Sequence, residues 1–246
     1  MAQEYTLIKT IPISAKNLSV DKFDNIYIIE SYKISKFDKK GTLLFTYEDL
    51  NQGEISYLDV SNPLKPLVYY ADFNVLNILD NKLSLISSLN LFDKNLNLVK
   101  AICSANTLEY WLYDEVENKL KQTDKNFNIT NESETFYTLF NKIVPVLNLQ
   151  VANNKLYVLD NDGIKVFDLY GGFKKQYPLS NLTYFQIFGD EIVYAEDKQL
   201  KSINEKTNLQ KETTLFSLDS EILQVSIIKE EMIYMTENAI YIFRLK

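Results

Sequence analysis

The sequence predicts an all-β fold, a six-bladed β-propeller whose blades are four-stranded antiparallel sheets. The first observation is a short apolar strand pattern, closed by an acidic residue, that recurs six times at intervals of 36 to 46 residues. The second is composition, because 46% of the 246 residues are hydrophobic and 24% are charged, as in ordinary globular proteins. Residues 1–246 are therefore predicted to form a single propeller domain.

The recurring pattern, rich in Ile, Val, Leu and Tyr, is predicted to be the second strand of each blade. Its copies are residues 26–29, 68–71, 110–113, 156–159, 192–195 and 233–236. The acids that close them are Glu30, Asp72, Asp114, Asp160, Glu196 and Glu237. A period of about 40 residues with several strands in each unit is typical of propeller blades.

The other strands of each blade surround this pattern. An apolar segment before each copy is predicted to be the inner strand, at residues 18–20, 57–60, 101–103, 149–151, 185–187 and 223–227. A third strand follows, most clearly at residues 34–37, 75–79, 164–167 and 240–243. Turns rich in Asp, Asn and Gly then lead to a fourth strand. The predicted blades span about residues 13–50, 51–94, 95–140, 141–181, 182–220, and 221–246 together with 4–12.

The two ends of the chain are predicted to meet in the last blade. The sixth unit stops at Lys246, directly after its third strand, whereas residues 5–11 form an extra strand at the other end. The N-terminal strand is therefore expected to complete the last blade and to cover an edge that would otherwise promote aggregation. A β-sandwich is the alternative fold, but it does not explain six regular repeats.

Charge and residue usage favour binding over catalysis. The net charge is −7, and Arg244 is the only arginine, so nucleic acid is not an expected partner. With no histidine and a single cysteine, Cys103, the chain lacks the parts for a Ser–His–Asp triad or a His/Cys zinc site. Cys103 is expected to be a buried structural residue. No cofactor, metal or transmembrane segment is predicted.

Two stretches resemble the repeats of NHL-type propellers. Residues 25–44 and 155–173 both combine an apolar strand ending in an acid, a short turn, an Ile-x-x-Phe-Asp strand and a Gly-containing turn. Residues 61–73 are similar to a group of uncharacterised exported bacterial propellers. This resemblance implies a periplasmic or cell-envelope location after removal of a signal peptide, although the start of the chain also fits a cytoplasmic protein.

The resemblance assigns no catalytic residue. The Asn-x-Arg-Ile signature of many NHL repeats is replaced by Tyr32-Lys33-Ile34 and by Asp162-Gly163-Ile164. The RNA-binding branch of that family is basic, whereas this chain is acidic, and its lyase branch relies on histidine. The same residues therefore indicate a fold more than a function.

The six closing acids are the first candidate site. In a propeller they would form a rim on one face, where a negative surface attracts a basic partner segment or a cation. The alternative is that each carboxylate accepts backbone N–H groups of its own turn. The segment Asp160-Asn161-Asp162-Gly163 also resembles the start of a calcium loop, but the downstream Glu is missing and a hairpin turn is favoured.

The long link at residues 132–147, between blades three and four, is the second candidate site. Residues 132–142 are predicted to form a short helix with Phe136, Leu139 and Phe140 on one side. These side chains either plug onto the propeller or, together with Tyr137, anchor a protein partner.

We therefore expect a non-enzymatic, protein-binding scaffold, as an accessory subunit of a bacterial cell-envelope assembly. A calcium-dependent or carboxylate-based hydrolase or lyase is the first alternative, and a module that binds a sugar or another small molecule is the second. The identity of the partner and the oligomeric state are left open by the sequence.

Overall fold

The computed structural model confirms the all-β, six-bladed propeller fold. It describes residues 5–106, 108–143, 145–179, 181–196, 198–207, 212–217, 221–229 and 231–245. Within these residues, 24 strands form six four-stranded antiparallel sheets, one for each blade. The chain divides into two compact units, Met1–Tyr47 with Leu182–Lys246, and Glu48–Asn181.

The first unit contains blades one, five and six. Blade one consists of β2 (Asn17–Val20), β3 (Ile26–Ile29), β4 (Lys33–Phe37) and β5 (Leu43–Glu48). Blade five consists of β18 (Phe185–Phe188), β19 (Glu191–Glu196), β20 (Gln199–Asn204) and β21 (Glu212–Ser217). Blade six consists of β22 (Gln224–Ile228), β23 (Glu231–Met235), β24 (Ala239–Leu245) and the N-terminal strand β1 (Tyr5–Pro12).

The second unit contains blades two, three and four. Blade two consists of β6 (Tyr57–Asp59), β7 (Leu67–Tyr70), β8 (Val75–Leu79) and β9 (Leu85–Asn90), followed by the 3-10 helix Leu91–Lys94. Blade three consists of β10 (Val99–Ser104), β11 (Glu109–Asp114), β12 (Lys119–Asp124) and β13 (Ile129–Glu132). The helix α1 (Phe136–Phe140) precedes blade four, which consists of β14 (Val146–Ala152), β15 (Lys155–Asp160), β16 (Gly163–Asp168) and β17 (Phe173–Tyr177).

The N-terminal strand completes the last blade, as the sequence predicts. The order in this sheet is β1-β24-β23-β22, and β1 runs antiparallel to β24 with Thr10 opposite Tyr241 and Pro12 opposite Ala239. Lys9 adds a contact to blade one, since its Nζ donates a hydrogen bond to the carbonyl of Gly41 at 2.8 Å. One blade is thus built from both ends of the described chain.

Within each unit, neighbouring blades pack through their first strands and through apolar clusters between the sheets. In the second unit β10 contacts both β6 and β14, and in the first unit β22 contacts both β18 and β2. Trp111, Leu149 and Val158 belong to the cluster between blades three and four. Ile28 and Ile240 belong to the cluster between blades six and one. The predicted inner strands are therefore the strands through which blades meet.

The turns after four of the third strands share one hydrogen-bonding pattern. Asp38, Asp80, Asp124 and Asp168 each accept two backbone N–H bonds at Oδ1, from the residues two and four positions later, at 2.8 to 2.9 Å. An Asp suits this position because its side chain closes the turn that its own backbone begins. The turn residues read from the sequence therefore mark these connections correctly.

The outermost strands share an irregularity. In five blades the pairing between the outermost strand and its neighbour shifts by one inserted residue, at β1, β9, β13, β17 and β21. Such a β-bulge interrupts the ladder and bends the strand.

Among the described residues, no helix has the length and apolar character needed to cross a membrane.

Candidate functional site

Asp114, one of the predicted rim acids, is buried inside blade three. Its Oδ1 accepts hydrogen bonds from the N–H groups of Val116 (3.0 Å) and Glu117 (3.1 Å). Its Oδ2 lies 2.9 Å from Nζ of Lys121, which also contacts Oε1 of Glu117 at 2.7 Å. Burial is the largest influence on the pKa of Lys121 and lowers it, but the two carboxylates together outweigh burial and the pKa is raised. Lys121 is therefore charged and neutralises Asp114.

Asp160 is held in the same way inside blade four. Its Oδ1 accepts a hydrogen bond from the N–H of Asp162 at 2.9 Å, and its Oδ2 forms an ion pair with Lys165. The side chains of Asp160 and Lys165 are both fully buried. Asp160 lies directly opposite Gly163, so a two-residue hairpin turn joins β15 to β16 in the segment that resembles a calcium loop.

The remaining acids of the predicted rim are more accessible. In the second unit, Asp72 is exposed. In the first unit, Glu237 is exposed, and Glu30 is partly buried with its Oε2 3.4 Å from Nζ of Lys33. These three carboxylates are available to solvent, unlike Asp114 and Asp160, whose burial leaves them no surface to present.

Glu196 lies beside an open cavity in the first unit. Its side chain is half exposed and forms an ion pair with Lys201. The cavity has a volume of about 530 Å³, and the described residues that line it are Glu196, Lys198, Gln199, Lys201 and Glu221. Two carboxylates and two ammonium groups therefore balance each other on its walls.

The lysines that pair with Asp114, Asp160 and Glu196 occupy the same position in their blades, and the repeat pattern of apolar residues and acids did not reveal this position. In blades three, four and five the lysine comes directly after the first apolar residue of the third strand, in the pairs Leu120-Lys121, Ile164-Lys165 and Leu200-Lys201. Each then lies one strand away from the acid that closes the second strand. The recurrence of this pair is the signal that would have identified the ion pairs.

The helix α1 begins and ends with clear capping contacts. Oγ1 of Thr135 accepts a hydrogen bond from the N–H of Thr138 at 3.0 Å, which satisfies an orphan donor at the start of the helix. Asn141 adopts a left-handed conformation and donates its N–H to the carbonyl of Tyr137 at 2.8 Å. The predicted helix at residues 132–142 is thus present, but it is shorter than predicted.

Phe136 and Phe140 attach α1 to blades three and four. Phe136 is fully buried, and its ring centroid lies 5.0 Å from that of Tyr113 and 5.8 Å from that of Phe167. Phe140 meets Phe136 edge-on at 5.3 Å and Phe173 at 5.0 Å. The ammonium of the buried Lys165 lies 5.0 Å from the centroid of the Phe140 ring. Phe136 and Phe140 therefore pack onto the blades, which is the first of the two alternatives that the sequence left open.

Tyr137 is oriented differently from its helical neighbours. Its side chain is 59% exposed, although Phe136 beside it is fully buried. Ile143 is 64% exposed, and Leu147 is exposed as well. Leu147 is an inserted residue in β14, since Val146 pairs with Asp160 and Asn148 pairs with Leu159. The segment thus combines a buried aromatic anchor with exposed apolar side chains.

The described residues hold no group of three or more Cys, Asp or Glu side chains arranged to bind a metal ion. Cys103 is buried, as expected, and burial together with the nearby carboxylate of Asp59 raises the pKa of its thiol well above the usual range. A thiol in this environment stays protonated and is a poor nucleophile.

No known family model matches the chain, and no curated protein matches it in sequence. Solved structures match it in fold. The WD40 domain of Pan2 from Neurospora crassa has a TM-score of 0.70 with 11% identity, and the match covers 100% of this chain and 96% of that domain. BamB from Moraxella catarrhalis has a TM-score of 0.59 with 10% identity, covering 99% of this chain and 98% of BamB. The computationally designed protein Ika8 has a TM-score of 0.52 with 13% identity, covering 93% of this chain and 70% of Ika8. At these identities the likeness is one of β-propeller fold.

Proposed function

We propose that this propeller is a non-enzymatic scaffold that binds a protein partner through the surface formed by Tyr137, Ile143 and Leu147, called here the α1 surface. The observation that carries the proposal is the exposure of these three apolar side chains on one short segment that is fixed to the blades. Single exposed apolar residues are common on protein surfaces, but a local group of them marks an interaction site.

The anchoring of α1 supports binding because it fixes the backbone that carries the surface. Phe136 and Phe140 pack into the blades, and the charged pair between Nζ of Lys142 and Oδ2 of Asp162, at 2.7 Å, ties the end of the segment to blade four. A surface that is already ordered loses little conformational entropy when a partner binds. An aromatic residue with one apolar side and one polar tip, such as Tyr137, is typical of binding hot spots.

The non-enzymatic part of the proposal rests on the residues available. The chain has no histidine, and two of its six candidate acids, Asp114 and Asp160, are occupied by buried lysines. A general acid or base must reach a substrate, and a carboxylate in a fully buried ion pair has no such access.

The proposal extends to a location in the bacterial cell envelope, as an accessory subunit of an assembly. Its support is the resemblance of residues 61–73 to exported propellers, together with the broader likeness of residues 25–44 and 155–173 to NHL repeats. Immunodetection of the protein in separated cytoplasmic, periplasmic and membrane fractions of its native cell tests this part. Recovery in the cytoplasm alone would contradict it.

The binding proposal is tested by affinity capture from the native cell with mild cross-linking and mass spectrometry. A Tyr137→Ser/Ile143→Ser double variant is compared with the parent chain. Leu64→Ser is the matched control, because Leu64 is 59% exposed, as is Tyr137, but lies in blade two. We expect a stoichiometric partner with the parent and with the control, and a loss of about 2 kcal/mol or more of binding free energy with the double variant.

Stability measurements separate binding from folding in this experiment. The double variant is expected to melt within a few degrees of the parent, because exposed side chains contribute little to stability. Phe136→Ser, in contrast, is expected to lose about 3–5 kcal/mol of stability by removing a buried ring. Capture of the same partner by the double variant at parental yield would overturn the proposed surface.

A further inference from the structure

A second open cavity lies in the first unit, where blades six and one are neighbours. It has a volume of about 450 Å³, and the described residues that line it are Asp24, Lys39, Ile228, Lys229, Glu231 and Arg244. They come from three turns, from the end of β22 and from the facing ends of β23 and β24. A volume of this size suits a small ligand or a single protruding group of a larger one.

Two of the three cationic groups at this cavity, those of Arg244 and Lys229, are oriented by carboxylates. Arg244 lies opposite Glu231 in the sheet, and its Nη2 donates a hydrogen bond to Oε1 of Glu231 at 2.7 Å. Nζ of Lys229 lies 3.7 Å from Oδ2 of Asp24. A guanidinium has five N–H donors and an ammonium has three, so each pair fixes a cation while leaving donors for a ligand.

The backbone at Lys229 follows from the turn in which it lies, because Ile228 is opposite Glu231 and a two-residue hairpin turn joins β22 to β23. Among the described residues with a positive φ, only Leu83, Phe127 and Lys229 are neither Gly, Asn nor Asp. Leu83 and Phe127 are buried, so their apolar contacts offset the unfavourable backbone. Lys229 has a φ of 46°, but its side chain is 75% exposed and gains no such compensation. The hairpin turn therefore holds Lys229 in an unfavourable backbone conformation, and it places the exposed ammonium of Lys229 at the cavity.

From this geometry we propose that the cavity is a binding site for a phosphate monoester, contacted by Arg244, Lys229 and Lys39. The planar guanidinium of Arg and the ammonium of Lys form strong charge-assisted hydrogen bonds with phosphate oxygens. A tetrahedral oxyanion accepts such bonds from several directions, which matches cations that come from strand β24 of blade six and from one turn in each of blades six and one. The second cavity, beside Glu196, has charges that balance each other and lacks an arginine.

The test is calorimetric titration of the whole chain with glycerol 3-phosphate, and with a phosphoserine peptide and its unphosphorylated form. Sodium acetate at equal ionic strength serves as the carboxylate control. We expect saturable binding of both phosphorylated probes at millimolar concentrations or below, and none of acetate or of the unphosphorylated peptide. Tighter binding of glycerol 3-phosphate assigns a small metabolite as the source of the phosphate, and tighter binding of the phosphopeptide assigns a modified protein.

Substitution of Lys229 distinguishes a binding role from a structural one. Lys229→Asn removes the cation and places a residue that tolerates the left-handed conformation, so it is expected to raise the melting temperature by about 2–5 °C while weakening phosphate binding about 10-fold. Arg244→Gln is expected to weaken binding at least as much, and Lys229→Arg to retain it. Lys198→Gln, at the other cavity, is the matched control and should bind as the parent does.

Two results would overturn the proposal. One is the absence of saturable binding of glycerol 3-phosphate and of the phosphopeptide to the parent chain. The other is unchanged binding by both Lys229→Asn and Arg244→Gln. Neither result bears on the α1 surface, which lies in the other unit, so failure of the phosphate site leaves the protein-binding proposal to its own test.

Discussion

At the scale of single residues, two blades each contain a buried ion pair between a lysine and an aspartate. Lys165 and Asp160 are fully buried and neutralise each other, and Lys121 and Asp114 do the same in blade three. Removing two charges from water is costly, and only the partner charge and added hydrogen bonds offset that cost. Such pairs therefore depend on both members being present.

Asp160→Asn is expected to lower the free energy of unfolding by about 3–5 kcal/mol, because it removes the buried counter-charge of Lys165 and leaves only Asp162, whose Oδ2 lies 3.9 Å from the ammonium. Asp160→Asn/Lys165→Met should recover part of this loss. Glu196→Gln is the matched control, since Glu196 pairs with Lys201 in the same register but is half exposed, and it should cost about 1 kcal/mol or less. Urea unfolding measures all three, and equal losses for Asp160→Asn and Glu196→Gln would refute the expectation.

The recurring acids were predictable from the sequence, but their environments were not. Glu30, Asp160 and Glu237 occupy the same place in the repeat, yet one is partly buried, one is fully buried and one is exposed. Lysine is rarely buried, so a lysine in a strand pattern is ordinarily assigned to the surface. The recurring Ile164-Lys165 type of pair marks such a lysine in the sequence, but its burial beside Asp160 becomes evident from the cross-strand register and the ion pair of the folded blade.

At the scale of elements, the turns and α1 show that structure set by local hydrogen bonds can be predicted from the sequence, whereas burial set by tertiary packing cannot. The Asp-initiated turns follow from local hydrogen bonding, which the sequence expresses directly, as at Asp38 and Asp124. The helix α1 was predictable, but the burial of Phe136 beside the exposure of Tyr137 depends on which blades lie under the segment. The spacing of the aromatic residues did not decide whether they pack onto the propeller or bind a partner. In the structure Phe136 packs onto the blades and Tyr137 is exposed.

The turn aspartates predict how stability depends on pH. Hydrogen bonds from backbone N–H groups lower the pKa of Asp38 and Asp124, and the ammonium of Lys174 with the N–H of Gly172 lowers that of Asp168. Because these pKa values are lower in the folded state, the stabilisation is complete above the unfolded value of about 3.9 and is lost as the pH falls through the folded values.

An Asp38→Asn/Asp124→Asn/Asp168→Asn variant tests this dependence, since Asn keeps the oxygen acceptor but does not titrate in this range. We expect its melting temperature to fall less steeply than that of the parent between about pH 4 and pH 2. Calorimetric melting across that range measures both slopes. Parallel curves for the two proteins would show that these turns do not contribute to acid denaturation.

At the scale of the whole molecule, the last blade depends on both termini. β1 contributes little buried apolar surface, with Ile11 as its core residue, and is held mainly by its ladder with β24 and by the contact of Lys9 with Gly41. The repeat count made this arrangement predictable, because a sixth unit with three strands requires a fourth from elsewhere.

Deletion of residues 1–12 is expected to lower stability by about 3–6 kcal/mol through the lost ladder, and to promote association through the uncovered edge of β24. Light scattering and thermal melting measure the two effects. A synthetic peptide of residues 1–12, added in trans, should reduce the scattering, and a scrambled peptide of the same composition should not. A deletion variant that remains monodisperse and melts as the parent does would contradict this role of β1.

The bulges in the outermost strands have a consequence for how a propeller gene can gain blades by duplication. An uninterrupted strand at the outer edge of a blade would present a row of free N–H and C=O groups to any similar strand nearby. The inserted residue in β9, β13, β17 and β21 breaks that row within each blade separately. Each of these four repeats therefore carries its own protection against edge-to-edge association with its copies, and a gene that duplicates one of these blades duplicates that protection with it.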